Sequence, residues 1–359
     1  VFKRIASRSA MVFLCLGILI FGAAEFPVAA PVLTNIKSVW YLGWDKSSYE
    51  SPSMASELAT LKRRLNINTV GLIVPLFQDS IYDTNPHRDA SRTPTNAQVL
   101  RVIQQAHALG LQVILLPYLI SDDEKWVGLM EPEDISQWFR RWQVLLGQYA
   151  EFAQAARVEI FLIGWEFETL YGEIEAWETT IAQVRKRYTG LVSYIANFWA
   201  NGDEYQRVLD WTPWEELDFI GVSAYFELMR KPSPTVQELR EAWHSDANQQ
   251  DVLQNLKELS QSYGRCIAFW ELGYASKEGA TQYPWDFARE GSPDQEEQSN
   301  AFLAAFQVLG NESWMAGYSI WSQDFGLGLT LTGYDVLEKL AEVTVRSHEL
   351  SPRRCDDAR

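Results

Sequence analysis

The chain has 359 residues, 47% hydrophobic and 22% charged, the composition of a globular protein with a large core. Its net charge of −16 argues against nucleic acid as a partner, because little here would neutralise phosphates. Its 15 Trp, 15 Tyr and 17 Phe suffice to fill a core and also to line a cleft on which carbohydrate C–H faces stack.

The N-terminus reads as an export signal. Lys3, Arg4 and Arg8 precede an apolar run from Met11 to Ala24, with small residues at Gly22–Ala24 and again at Ala29–Ala30. That run is short for a membrane span, which needs about 20 apolar residues. Residues 1–30 are therefore expected to be a signal peptide or, in second place, an uncleaved anchor, and membrane contact is expected only through such an anchor. Without this segment the cysteines are Cys266, in an apparent strand, and Cys355, in a polar tail at 348–359. They predict neither a disulfide framework nor a metal site.

Over residues 31–347 two periodicities alternate. Strand-like apolar runs begin near Ile36, Asn68, Leu111, Val158, Leu191, Leu217, Arg265 and Met315. Between and after them lie helix-period stretches such as MASELATLKRRL, NAQVLRVIQQAHALG, IEAWETTIAQVRKRY and EEQSNAFLAAFQVL. Ser, Thr, Asp or Pro often opens these and Gly closes them, as capping chemistry predicts. A doubly wound open sheet alternates in the same way. The even spacing and the count of eight favour a single (β/α)8 barrel, whose usual size of about 250 residues tolerates insertions.

In such a barrel the catalytic groups stand at the C-terminal ends of the strands. The fourth predicted strand ends Gly164-Trp165-Glu166-Phe167-Glu168, and the seventh ends Phe269-Trp270-Glu271-Leu272-Gly273-Tyr274. Each is an apolar strand, an aromatic, then Glu. Alone, either glutamate could pair with an arginine or cap a helix. Two of them on separate strands favour chemistry, and a facing carboxylate pair is the minimum equipment for glycoside hydrolysis. One must hold a proton near neutral pH while the other stays ionised, a difference that burial and hydrogen-bond donors create. Tyr225, at the end of the sixth strand, is placed to donate to Glu271. Residue chemistry alone leaves open which glutamate is the acid.

Other chemistries lack their parts. His87, His107, His244 and His348 are scattered without ligand spacing, no G-x-S-x-G elbow occurs, and Gly326-Leu327-Gly328 lacks the third glycine of a dinucleotide loop. No metal and no cofactor are expected.

Several blocks, in order, resemble glycoside hydrolase family 113, retaining endo-β-mannanases on clan A (β/α)8 barrels. FQDSIYDTNPHRDASRTPTNAQVLRVIQQAHALGLQVILLPYL is similar to that family's second strand through third strand. IFLIGWEFETL looks like its acid/base segment and IAFWELGYASKEGATQYPW like its nucleophile segment. WEELDFIGVSAYFEL resembles the sixth strand, and GYSIWSQDF the last strand with its sugar-platform tryptophan. The resemblance implies Glu166 as acid/base, Glu271 as nucleophile, Tyr225 as the residue orienting Glu271 and Trp321 as the floor of the sugar site. Asn197, Trp199 and Trp44 are sugar-contact candidates, with loop packing as the alternative.

Two departures bear on substrate. Trp165 stands where the clan usually has Asn before the acid/base, and Tyr118 follows Pro117 where His is usual. Glu168, two residues beyond Glu166, is expected to bind substrate or to sit in a loop salt bridge. The whole predicts an exported, monomeric, retaining β-glycoside hydrolase acting on β-1,4-mannan or manno-oligosaccharides. Another β-linked glycan, or a noncatalytic carbohydrate-binding protein on a retired barrel, is the alternative.

Overall fold

The computed structural model describes residues 35–325, 328 and 330–348. The expected export segment, residues 1–30, and residues 349–359 of the expected tail lie outside them. Eight strands, β1 (Ile36–Tyr41), β2 (Thr69–Gln78), β3 (Gln112–Ser121), β4 (Ile160–Trp165), β5 (Leu191–Ala196), β6 (Phe219–Ser223), β7 (Cys266–Leu272) and β8 (Met315–Gln323), pair in chain order. All pairings are parallel, and β8 closes on β1, so the sheet is a barrel with no free edge. Such strands are buried on both faces, which is why they read as continuous apolar runs rather than as alternating ones.

The helices are α1 (Met54–Leu65), α2 (Asn96–Ala108), α3 (Ile135–Ala156), α4 (Ile174–Arg185), α5 (Gly202–Leu209), α6 (Val236–Ala242), α7 (Val252–Tyr263), α8 (Gln295–Leu309) and α9 (Leu340–Ser347). α2 shows the local logic. Val99, Val102, Ile103 and Ala106 form its buried stripe, and Thr95 and Gln98 make a reciprocal capping box at its start. Gly110, in the left-handed region at φ +68°, lets Leu111 N–H bond back to Ala106 at its end. Among the described residues no helix is long and apolar enough to cross a membrane.

Indoles fill the barrel interior, and glycines make room for them. Trp40 lies against Gly71 and donates its ring N–H to the Trp270 carbonyl at 2.6 Å. Trp270 in turn donates to Ser193 Oγ at 2.8 Å and covers Gly221, where a Cβ would fall 2.2 Å from the ring. Cys266 corrects an expectation: it is disulfide-bonded, while the chain's other two cysteines lie outside the described residues.

The pairing shifts register once at the start of β7, between Ile267 and Ala268, and otherwise near the C-terminal ends. β4 shifts register against β5 between Leu162 and Trp165. β7 shifts against β6 beside Glu271 and against β8 before Leu272. Such irregularities re-aim side chains at a barrel rim. Both strand-end glutamates sit at one.

Candidate active site

Glu166 follows β4 with a backbone φ of +52°, a left-handed conformation that a non-glycine residue rarely adopts outside turns and functional sites. Its N–H bonds to Ile195 O at 2.7 Å, so the chain leaves the strand still tied to β5. The carboxyl is 6% exposed, and Trp126 Nε1 donates to its Oε2 at 2.7 Å. Burial pushes the group up to about 7, and the nearby Glu168 charge adds to the rise. The Ser223 hydroxyl and the Trp126 donor oppose it, although Ser223 Oγ is not in good hydrogen-bonding geometry with any group.

Glu271, 4% exposed, accepts from Tyr225 Oη at 2.8 Å on Oε2, while its Oε1 is buried without a hydrogen-bond partner. Burial first and the charge of Glu166 second hold this carboxyl well above the usual range, against the lowering effect of Tyr225. The two carboxyls thus repel each other in a desolvated mouth, and ionising one makes ionising the other harder.

An aromatic wall adjoins the pair. Trp165 stacks on Tyr118, centroids 4.2 Å apart and 15° from parallel. Trp321 lies 6.4 Å from Tyr118 at 23°, and Trp44 meets both Tyr118 (5.5 Å) and Trp321 (6.0 Å) edge-on. The Trp321–Ser322 peptide is cis. Burial raises the Tyr118 phenol, with further rises from Glu271 and Glu166, so this ring borders both carboxyls. On the β5 side Phe198 stacks with the half-exposed Trp285 at 5.0 Å.

The other expected site residues divide. Asn197 Nδ2 donates to Glu168 Oε1 at 2.7 Å, and the Arg207 guanidinium stands 3.8 Å from Oε2. Glu168 thus stands in a loop ion pair with Arg207, and Asn197 donates to it. Trp199 is only 1% exposed and packs between Tyr205 and Phe226, so it offers no face to a sugar. Trp126 was not foreseen: it comes from the irregular connection after β3, and its only signal was a tryptophan among polar residues in DDEKW. Phe198 and Trp285 were likewise unassigned. Among the described residues no cluster of three or more His, Cys, Asp or Glu is placed to hold a metal ion.

Residues 39–327 match the family described as Glycoside Hydrolase Family 113. The chain belongs to glycoside hydrolase family 113. Both glutamates and the aromatic wall fall inside the matched segment. Among solved structures this family-113 chain is similar to a β-1,4-mannanase of the same family, in a complex structure, with 22% identity and a TM-score of 0.75. That match covers 88% of this chain and 98% of the other. It is also similar to the β-mannanase AaManA from Alicyclobacillus acidocaldarius in complex with ManMIm, at 23% identity and TM-score 0.75, over 89% and 98% of the two chains. Fungal β-1,4-galactanases share the barrel more distantly, at 16% identity and TM-score 0.55, over 86% and 99%. At these identities the structural likeness is one of fold. No curated protein sequence matches the chain.

Proposed function

We propose that this member of family 113 is a retaining β-glycoside hydrolase in which Glu271 is the nucleophile and Glu166 the acid/base. The observation that carries the reading is the pair of buried, mutually repelling carboxyls, each held through Oε2 by a separate donor. Glu271 Oε1, free of hydrogen bonds, attacks the anomeric carbon while Tyr225 holds the other oxygen. Glu166 gives its proton to the departing glycosidic oxygen, then takes one from the water that releases the covalent glycosyl-enzyme. A pKa near 7 lets one group do both. Trp321, with Trp44 and Tyr118 beside it, supplies the flat face against which a sugar ring stacks.

The substrate we infer is β-1,4-mannan or a manno-oligosaccharide, supported by family membership and by the mannanases that share the fold. One observation favours a second reading, another β-linked glycan. The stacked Trp165 and Tyr118 put two rings where the clan usually has Asn and His, which changes recognition of the reacting sugar's hydroxyls. The basic then apolar residues 3–24 support export to the envelope or medium.

Hydrolysis of β-mannan, xylan, β-glucan and aryl β-glycosides, with the first-formed anomer read by proton NMR, tests the reaction and the substrate. Retention of configuration is expected, together with loss of hydrolysis but not of binding in Glu271→Gln. An inverted product, or a Glu271→Gln variant as active as the parent, overturns the assignment.

A further inference from the structure

Trp126 reaches the acid/base carboxyl from a different element, the connection between β3 and α3. Its position is built rather than incidental. The indole lies flat over Gly128, where a Cβ would fall 2.3 Å from two of its ring atoms. Gly128 belongs to the short turn Val127–Leu129, and Met130, which ends that turn, is fully buried. The Met130 carbonyl accepts from the Thr169 hydroxyl, three residues beyond Glu166. The Trp126 loop and the Glu166 turn are therefore fastened to each other at two points, the carboxyl itself and the Thr169–Met130 bond.

An indole N–H can donate but never accept. With that donor at 2.7 Å, Oε2 is an acceptor and cannot carry a proton directed at the ring. We propose that Trp126 is a positioning residue for general acid catalysis: seated on Gly128, its N–H occupies Oε2 of Glu166 and reserves the transferable proton for Oε1. This rests on the assignment of Glu166 as acid/base. In the glycosylation step the O–H bond on Oε1 breaks as a new O–H bond forms on the leaving oxygen. The resulting carboxylate keeps its Trp126 hydrogen bond, which strengthens as charge develops.

Ionisable groups press on Glu166 from every side. Glu271 on β7 and Glu168 in the following turn are the carboxyls. Tyr118 on β3, Tyr194 on β5, Tyr225 after β6 and Tyr171 are the phenols, and burial raises all four, which keeps them neutral at working pH. A change in Glu166 titration on altering Trp126 therefore reports the donor or the two carboxyls, and neither carboxyl touches the indole among the hydrogen bonds described.

Two variants isolate the donor. Trp126→Phe keeps a ring but removes the N–H; Gly128→Ala keeps the indole but displaces it. Each is measured in full-length protein labelled with carboxyl ¹³C glutamate, the Glu166 resonance being identified by its absence from Glu166→Gln. The Glu166 midpoint, near 7 in the parent, is expected to rise by about one pH unit in both variants, because a donor to a carboxylate favours the ionised form. Hydrolysis of a glycoside with a sugar leaving group is expected to fall about tenfold, while a dinitrophenyl β-glycoside, whose leaving group needs no proton, is cleaved as before. An unmoved midpoint and an unchanged leaving-group dependence in Trp126→Phe overturn the proposal, whatever Gly128→Ala does. A Glu166→Gln variant that cleaves the sugar-leaving substrate like the parent overturns the acid/base assignment itself, so the two failures are distinguishable.

Discussion

Tyr225, after β6, and Trp126, after β3, each donate to one oxygen of a buried carboxyl, and in the proposed mechanism each leaves the other oxygen for chemistry. For Tyr225 the consequence is a bias toward the ionised nucleophile, since its hydroxyl lowers a Glu271 that burial and Glu166 raise. Tyr225→Phe keeps the ring and deletes that donor. The sign follows directly: Glu271 ionises at higher pH, so the acidic limb of kcat/KM moves up and kcat falls by about tenfold or more. A pH–rate series on the purified variant checks it, and an acidic limb that stays in place contradicts the role. The rim positions of Glu166, Glu271 and Tyr225 were legible in the sequence for a physical reason. A carboxyl or phenol directly after a doubly buried strand has to be used or neutralised. Trp126 was not legible, because its value depends on how an irregular turn seats an indole over Gly128, and no periodicity encodes that. Trp199 shows the converse limit: a tryptophan at a strand end looks the same in sequence whether it faces the cleft or, as here, packs between Tyr205 and Phe226.

The strands themselves were readable from their apolar runs and the helices from their stripes and caps, but the connections that carry the rim were not. The stretch between β7 and α8 has no period and is held instead by specific bonds. Lys277 Nζ gathers the carbonyls of Asp286, Phe287 and Arg289, and the buried Glu297 binds the N–H groups of Gly279 and Thr281. β4 shows how strongly an element can constrain its last residue. Gly164 is closely covered by Phe167 and Tyr194, and a Cβ there would stand 2.8 Å and 3.0 Å from their rings. Neither ring can yield easily: Phe167 is fully buried among Trp138, Trp142 and Trp177, and the Tyr194 hydroxyl accepts from the Phe167 N–H. Gly164→Ala is therefore expected to cost about 1–3 kcal/mol by overpacking and to lower kcat by tilting Glu166 two residues later. Gly172→Ala, with no atom within 4 Å of its new methyl, is the matched control. Urea unfolding of both variants decides it, and equal stability of the two would show that the β4 end relaxes freely.

At the scale of the whole molecule, a closed barrel whose interior is sealed by indoles has its least favourable burial at its functional end. Glu166 has an ordinary value of 4.5 when exposed and about 7 in the folded chain. Below the lower value both states are protonated and its burial carries no charge penalty. Between the two, the unfolded chain releases the proton while the folded chain keeps it, so folding stability falls by about 1.4 kcal/mol per pH unit. Above the folded value the loss is complete, about 3 kcal/mol. Glu271, raised in the same direction, deepens the loss. Glu166→Gln removes the titration while preserving size and the capacity to accept from Trp126. It is therefore expected to match the parent's stability at about pH 4 and to exceed it by about 3 kcal/mol at about pH 8. Chemical denaturation at the two pH values measures the difference directly. A stabilisation that is the same at both would mean that the carboxyl is not ionising inside a desolvated mouth. The expected pattern would instead identify the barrel mouth as a place where stability has been given up to hold a proton ready near neutral pH.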